Sequence, residues 1–219
     1  MITEKQISAA KIVEQNGIVI IIRMDNLEQV RDISTALYKG GVRCFEIPMT
    51  ADNADEIIRD LSVQLPGEAV IGAGTVLTAA DAERIIDAGA RFIVSPHFVP
   101  EIATVCKRRG ISNIPGAFSP SEIFTAWESG AEIVKVFSIR SLGPAYLSDL
   151  AGPYPGIKLM PTGGINLTNA ESFIKAGACA VTIGRDIIGN GPWDEKALAD
   201  ITARAHDLTE NIRRLKESK

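Results

Sequence analysis

The chain has little of what several common protein classes require. Its 219 residues include three cysteines, Cys44, Cys106 and Cys179, and two histidines, His97 and His206. The cysteines are far apart and odd in number, which speaks against a disulfide framework or a paired-cysteine zinc site. Two histidines cannot build a histidine-rich metal centre, and no metal or other cofactor is expected; carboxylate-bound magnesium stays open because Asp and Glu are plentiful. Lys and Arg number 23 against 27 Asp and Glu, for a net charge of −4, and they are scattered. That leaves no electrostatic footprint for nucleic acid. No apolar run is long enough to span a membrane, and Met1-Ile2-Thr3-Glu4-Lys5-Gln6 lacks the basic-then-apolar pattern of a secretory leader. The expected location is the cytoplasm. Hydrophobic residues at 46% and charged residues at 23% are ordinary for a soluble globular domain.

What is present is a strict alternation. β-rich runs fall at 17–23, 42–49, 69–76, 91–96, 112–117, 132–138, 157–162 and 180–184. Helix-compatible segments lie between them, at 26–38, 52–65, 79–88, 100–109, 119–129 and 168–176. Strands joined by helical crossovers are parallel, and eight units of about 25 residues close into a (β/α)8 (TIM) barrel. A helix near Thr3 to Gln15 precedes the barrel, and a long one from about Asp194 to Lys216 follows it, with apolar residues at helical spacing. Residues 1–219 are read as a single barrel domain. The rival is an open doubly wound sheet, which also alternates β and α but does not usually place so many polar residues at successive strand ends.

Local signals agree with the period. Glycines follow the helices at Gly40-Gly41, Gly89, Gly110, Gly130 and Gly177, where left-handed caps are expected. Thr78, Ser119 and Thr168 stand at helix starts, and Ser119-Pro120-Ser121-Glu122 has capping-box spacing.

In a parallel barrel the active site gathers at the C-terminal ends of the strands. Those ends carry Arg23, Glu46, Thr75, Lys135, Thr162-Gly163-Gly164 and Gly184-Arg185. Lys135 lies inside the apolar run Ile133-Val134-Lys135-Val136-Phe137. Burial favours the uncharged form of an amine, and such a lysine is the nucleophile of Schiff-base chemistry on a ketone or aldehyde. In an arbitrary strand the blander role, a lysine that snorkels to solvent or pairs with a carboxylate, is the commoner one. Alternation puts Ile133, Lys135 and Phe137 on one face and Cys44, Glu46 and Pro48 on one face of strand two. If Val134 and Val136 pack on the helices, Lys135 points into the barrel toward Glu46, and Phe137 joins the candidate substrate-binding set.

Glu46 is the candidate general acid/base; its structural alternative is an ion pair with Arg23 or Lys135. Arg23 is a fork for a substrate carboxylate or phosphate, or else reaches solvent. Gly163 and Gly164 let backbone N–H groups approach an anion, and Gly184-Arg185 can present a second helix start to it. Arg185 adds a charge there or points away. In Gly72-Ala73-Gly74-Thr75-Val76 the dinucleotide fingerprint is incomplete, so the glycines are read as room for substrate and the Thr75 hydroxyl as a carboxylate partner. Ser95-Pro96-His97 ends strand four near the same mouth, where His97 either assists proton transfer or, the preferred reading, is a packing or wall residue.

Taken together these stretches resemble the KHG/KDPG aldolase family, in the order 40–47, 72–76, 92–96, 115–122, 135–137 and 161–165. The resemblance implies a class I aldolase acting on 4-hydroxy-2-oxoglutarate or a 2-keto-3-deoxy-6-phospho sugar acid. Lys135 would form the imine, Glu46 would move protons, Thr75 and Thr162 would hold the pyruvyl end, and Gly163, Gly164 and Gly184 would contact the phosphate. It also implies a homotrimer whose partners are small molecules. Three positions depart from the family pattern: Thr50 where an arginine is common, Ser138 where proline usually follows the Lys-x-Phe stretch, and Arg185 where a serine is frequent. Glu46-Ile47-Pro48 is similar to the phosphogalactonate branch. Two other functions fit a phosphate-binding barrel: an isomerase or synthase that does not use the lysine as nucleophile, and a non-catalytic sugar-acid-binding protein.

Overall fold

The computed structural model describes residues 7–218. The segment Met1–Gln6, including the expected start of the first helix, lies outside the described residues. Within them the first helix, α1, runs Ala9–Asn16, with Ser8 accepting from the Lys11 N–H as its N-cap. Then follow β1 Ile18–Ile21, α2 Leu27–Lys39, β2 Cys44–Pro48, α3 Ala54–Gln64, β3 Val70–Gly74, α4 Ala79–Asp87, β4 Phe92–Val94 and α5 Pro100–Arg109. The second half comprises β5 Ser112–Ile114, β6 Gly116–Ala117, α6 Pro120–Glu128, β7 Val134–Phe137, α7 Gly143–Ala151, β8 Leu159–Thr162, α8 Ala170–Lys175, β9 Val181–Ile183, α9 Arg185–Ile188 and α10 Glu195–Glu217.

All strand pairings are parallel, in the order β5-β4-β3-β2-β1-β9-β8-β7-β6. The two strands at the ends of this order are halves of one stretch, 112–117, interrupted at Pro115, which has no N–H to offer a ladder. Hydrogen bonds continue across the interruption: the Ser95 N–H donates to Ile114 O at 3.4 Å and the Lys135 N–H to Pro115 O at 2.9 Å. The ring therefore closes through a divided fifth strand, and the expected (β/α)8 barrel is what forms rather than an open sheet.

Strand alternation sorts the core into two populations. Val19, Cys44, Phe92, Ile133, Met160 and Ala180 belong to an inner cluster, together with Ala9, Ala10 and Val13 of α1. Their sequence neighbours Ile18, Ile20, Phe45, Val134, Val136 and Val181 pack with the helices. Helix α1 thus plugs the end of the barrel opposite the strand C-termini, and the Ala10 N–H donates to Ser112 Oγ at 3.0 Å beneath it. Helix α10 lies against α2, where its Thr202 and Thr209 hydroxyls donate to Ala36 O and Gly40 O.

Some local expectations require correction. Gly41, Gly89, Gly110, Gly130 and Gly177 adopt positive φ, but Gly40 has φ −78. What requires a glycine there is space, because a side chain would meet Ala205 Cβ at 2.5 Å and Thr202 O at 2.6 Å. Thr78 and the Ser119–Glu122 capping box form as expected. Thr168 does not cap α8; instead the Asn166 side-chain oxygen accepts from the Thr168 and Asn169 N–H groups, both at 3.0 Å. Helix α7 and the short α9 lie outside the helical segments inferred from periodicity.

If α1 is a plug and not an appendage, Val13→Ala should cost about 1.5–3 kcal/mol, because Val13 is fully buried among strand side chains. Urea unfolding measures this; a loss below about 0.5 kcal/mol, the scale of a surface substitution, would show that α1 is not part of the core.

Candidate active site

The inner face of the barrel changes character on going from the α1 end toward the strand C-termini. The apolar layer of Cys44, Ile133, Met160 and Ala180 gives way, one alternation later on the same strands, to Glu46, Lys135, Thr162 and Thr182. Lys135 is 5% exposed and Glu46 2%, although neither is near a helix end or a solvent-facing edge. Both side chains therefore point where their alternation predicts, and Val134 and Val136 do pack on the helices.

The structural alternative for Glu46 is not realised. No ion pair joins it to Lys135 or Arg23 among the described residues, and its Oε2 is buried without a hydrogen-bond partner. Burial pushes the Glu46 carboxyl above the usual carboxylate range, and the charges of Lys135 and then Arg23 oppose that shift without cancelling it. The Lys135 amine stands 5.0 Å from the centroid of the Phe137 ring, in a cation–π arrangement. Phe137 itself is 42% exposed, so the ring that the buried amine approaches reaches the surface.

Two cavities open at this end of the barrel. One, of about 550 Å³, is lined by Ile21, Arg23, Met24, Gly184, Arg185, Ile188, Gly189, Asn190 and Trp193. Another, of about 450 Å³, is lined among others by His97, Phe98, Gly116, Phe118, Glu122 and Phe137. Lys135 and Glu46 line neither, but each is linked to one: Phe137 walls the second cavity, and Arg23, whose charge acts on Glu46, walls the first. Arg23 and Arg185 are exposed and share the first cavity, so both reach toward solvent and toward a common space. His97 is a wall of the second.

Thr162 is buried, and its hydroxyl is bonded to that of Thr182 at 3.0 Å. Thr75 is half-buried with φ +58, a left-handed backbone unusual for a β-branched residue. Gly163 and Gly164 have φ +98 and +78, which only glycine adopts without strain. Side chains there would also meet Ser138 Oγ at 2.5 Å and Arg140 Cβ at 3.2 Å. The loop they begin is tied to the next one, because the Leu167 N–H donates to Asp186 Oδ2 at 2.7 Å. Gly184 and Arg185 stand at the start of α9, beside that tie.

One reading is corrected. Gly72 and Gly74 do not leave room for substrate. A side chain at Gly72 would strike the Phe92 ring, and one at Gly74 would strike the Glu46 carboxyl, so protein atoms fill both spaces. One buried polar residue of the inner face was not anticipated. Thr182 shares the inner face with Ala180 and was accessible from alternation. Ser95, expected at the mouth as the end of the fourth strand, has a hydroxyl buried without a hydrogen-bond partner. Among the described residues no group of three or more His, Cys, Asp or Glu side chains is placed to hold a metal ion, and no helix is long and apolar enough to cross a membrane.

Comparison with known proteins places this arrangement. The family model described as KDPG and KHG aldolase matches residues 9–204. A 2-dehydro-3-deoxy-phosphogluconate aldolase of Treponema pallidum is 36% identical over 162 residues, covering 74% of this chain and 77% of that protein. A probable 2-dehydro-3-deoxy-6-phosphogalactonate aldolase of Rhizobium meliloti is 29% identical over 196 residues, covering 88% and 92%. Among solved structures, KDPG aldolase from Legionella pneumophila, with pyruvate captured as a covalent carbinolamine, superposes with a TM-score of 0.83 at 26% identity, covering 91% of this chain and 97% of that one. The chain belongs to the KDPG and KHG aldolase family.

Proposed function

We propose that the protein is a class I aldolase, a lyase that cleaves a 2-keto-3-deoxy-6-phospho sugar acid to pyruvate and glyceraldehyde 3-phosphate, or 4-hydroxy-2-oxoglutarate to pyruvate and glyoxylate. One observation carries this reading: an amine and a carboxyl are buried in the same ring of strands, without an ion pair between them, in a chain of this family.

In this mechanism the uncharged Lys135 Nζ adds to the C2 ketone, whose oxygen takes a proton to give a carbinolamine. Loss of water leaves a protonated imine. The C4 hydroxyl then gives up its proton, the C3–C4 electron pair moves toward the imine nitrogen, and the distal half leaves as an aldehyde. The resulting enamine takes a proton at C3, and water releases pyruvate and the free amine. Each step needs a group that holds a proton and returns it, and a carboxyl whose burial raises its affinity for protons suits that task near neutral pH. Glu46 has this role. Phe137 shields the imine; Thr75, Thr162 and Arg23 receive the keto-acid end, Arg23 serving where Thr50 replaces the family's arginine. Gly163, Gly164 and Gly184 offer backbone to a distal phosphate, and Arg185 adds charge in the cavity it shares with Arg23. The acting unit is one barrel domain of residues 1–219, and a cytoplasmic homotrimer completes the reading.

Borohydride reduction in the presence of pyruvate should add one pyruvyl mass to a peptide containing Lys135, and Lys135→Met should lose both the label and at least ~10³-fold in kcat. Retained turnover in Lys135→Met would favour a phosphate-binding isomerase or synthase instead, and ligand binding without turnover of any keto acid would favour a binding protein.

Glu46 also carries a stability consequence. A carboxyl with a raised folded-state pKa contributes stability below its unfolded pKa and loses it as pH rises through the folded value. Glu46→Gln should therefore gain on the parent as pH rises, by about 1–3 kcal/mol at the alkaline end. Denaturation midpoints across a pH series read this directly; a constant offset, or one that favours the parent at high pH, would contradict it.

A further inference from the structure

Gly74 ends β3 on the inner face of the barrel, opposite Pro48 in register, while Glu46 pairs with Gly72 on the same two strands. An ideal Cβ built at Gly74 would lie 2.5 Å from Glu46 Cδ and 2.8 Å from Glu46 Cγ, and closer still to Oε1. The carboxyl thus occupies the volume that any side chain at position 74 would need. From this we infer that Gly74 is a positioning residue for the reaction: its missing side chain is the slot in which the Glu46 carboxyl rests. The inference depends on the reading of Glu46 as the proton carrier.

The backbone at Gly74 is not free to retreat. Its carbonyl accepts from the Met49 N–H at 2.8 Å, and the next residue, Thr75, is held at φ +58. Glu46 is equally fixed at its backbone, where its carbonyl accepts from the Ile22 N–H at 3.0 Å. The soft part of the contact is the far end of the glutamate side chain. A methyl group at position 74 therefore displaces the carboxyl and leaves the strands in place. Displacement has two effects: the proton carrier moves off its line to the substrate, and the carboxyl leaves its dry slot, which lessens the desolvation that favours its protonated form.

Gly72, two residues earlier, provides the contrast. A side chain there would meet the Phe92 ring, a core group with no part in the chemistry. Overpacking at Gly72 is a matter of stability alone, whereas overpacking at Gly74 acts on catalysis.

The test compares Gly74→Ala, Glu46→Ala, the double variant and Gly72→Ala, using 2-keto-3-deoxy-6-phosphogluconate cleavage and borohydride–pyruvate labelling. Gly74→Ala should lower kcat on the order of 10–100-fold with KM changed by less than about threefold, and the pH-profile limb owed to Glu46 should move to lower pH. Alanine at position 46 has neither the Cγ nor the carboxyl that the added methyl would strike, so the double variant should lose less than about threefold beyond Glu46→Ala alone, far short of the product of the two single losses. Folded Gly72→Ala should keep the parental pH profile. A parental kcat and pH profile in Gly74→Ala, or strictly multiplicative losses in the double variant, would overturn the inference. If Gly74→Ala fails to fold, a folded double variant upholds it and an unfolded one overturns it. A parent that cleaves substrate but cannot be labelled at Lys135 would refute the underlying mechanism and not the steric relation.

Discussion

Two opposite ionisable groups share one apolar ring without touching, and the rest of the structure is arranged to keep them so. In a low-dielectric interior an ammonium and a carboxylate attract strongly and close to contact when nothing prevents it. Here Glu46 sits in the space left by Gly74, and the Lys135 amine lies over the Phe137 ring. A closed pair would tie each group to the other. Kept apart, they can take the roles of the proposed mechanism, one in attack on a carbonyl and the other in proton traffic.

The barrel divides its labour along its axis. At the end closed by α1, the interior is filled with aliphatic and aromatic side chains that hold the strands together. One alternation further along, the same strands present a lysine, a glutamate and two bonded threonines. Beyond them the loops separate into a space with two arginines and an indole and a space whose walls include the rings of His97, Phe98, Phe118 and Phe137. Arg23 and Arg185, two of the cationic groups at this mouth, lie together in the first space, away from the aromatic wall. Of the three departures from the family pattern, Arg185 adds a second arginine to the space that Arg23 lines, and nothing in the structure explains Thr50. The third, Ser138, packs its hydroxyl where a side chain at Gly163 would be, so the loops after β7 and β8 fit against each other.

Much of this was legible in the chain because it depends on two periods. The stride of strand and helix predicts a parallel barrel, and period-two alternation predicts which of Ile133 to Phe137 and Cys44 to Pro48 face inward; both follow from backbone geometry and need no knowledge of packing. What stayed hidden depends on contacts between segments distant in sequence. Gly72 and Gly74 look like substrate space until Phe92 and Glu46 are seen to fill it. The division of the fifth strand needed Pro115 to be recognised as a gap between two ladders. Thr182 is legible from its alternation with Ala180, but it lies before the strand end at Gly184, where barrel chemistry is expected to gather. Helix α7 begins at Gly143-Pro144 and has only two buried apolar residues, Leu147 and Leu150, too few to impress a period on the sequence.

The central claim is that the buried amine of Lys135 forms an enamine with pyruvate and that this requires no other nucleophile. The most direct measurement is exchange of the pyruvate methyl protons in deuterated water, followed by proton NMR, since it does not depend on which sugar acid the protein prefers. The account predicts that the methyl signal decays in the presence of the parent protein and persists with Lys135→Met. No exchange with the parent, or equal exchange with both, would contradict it.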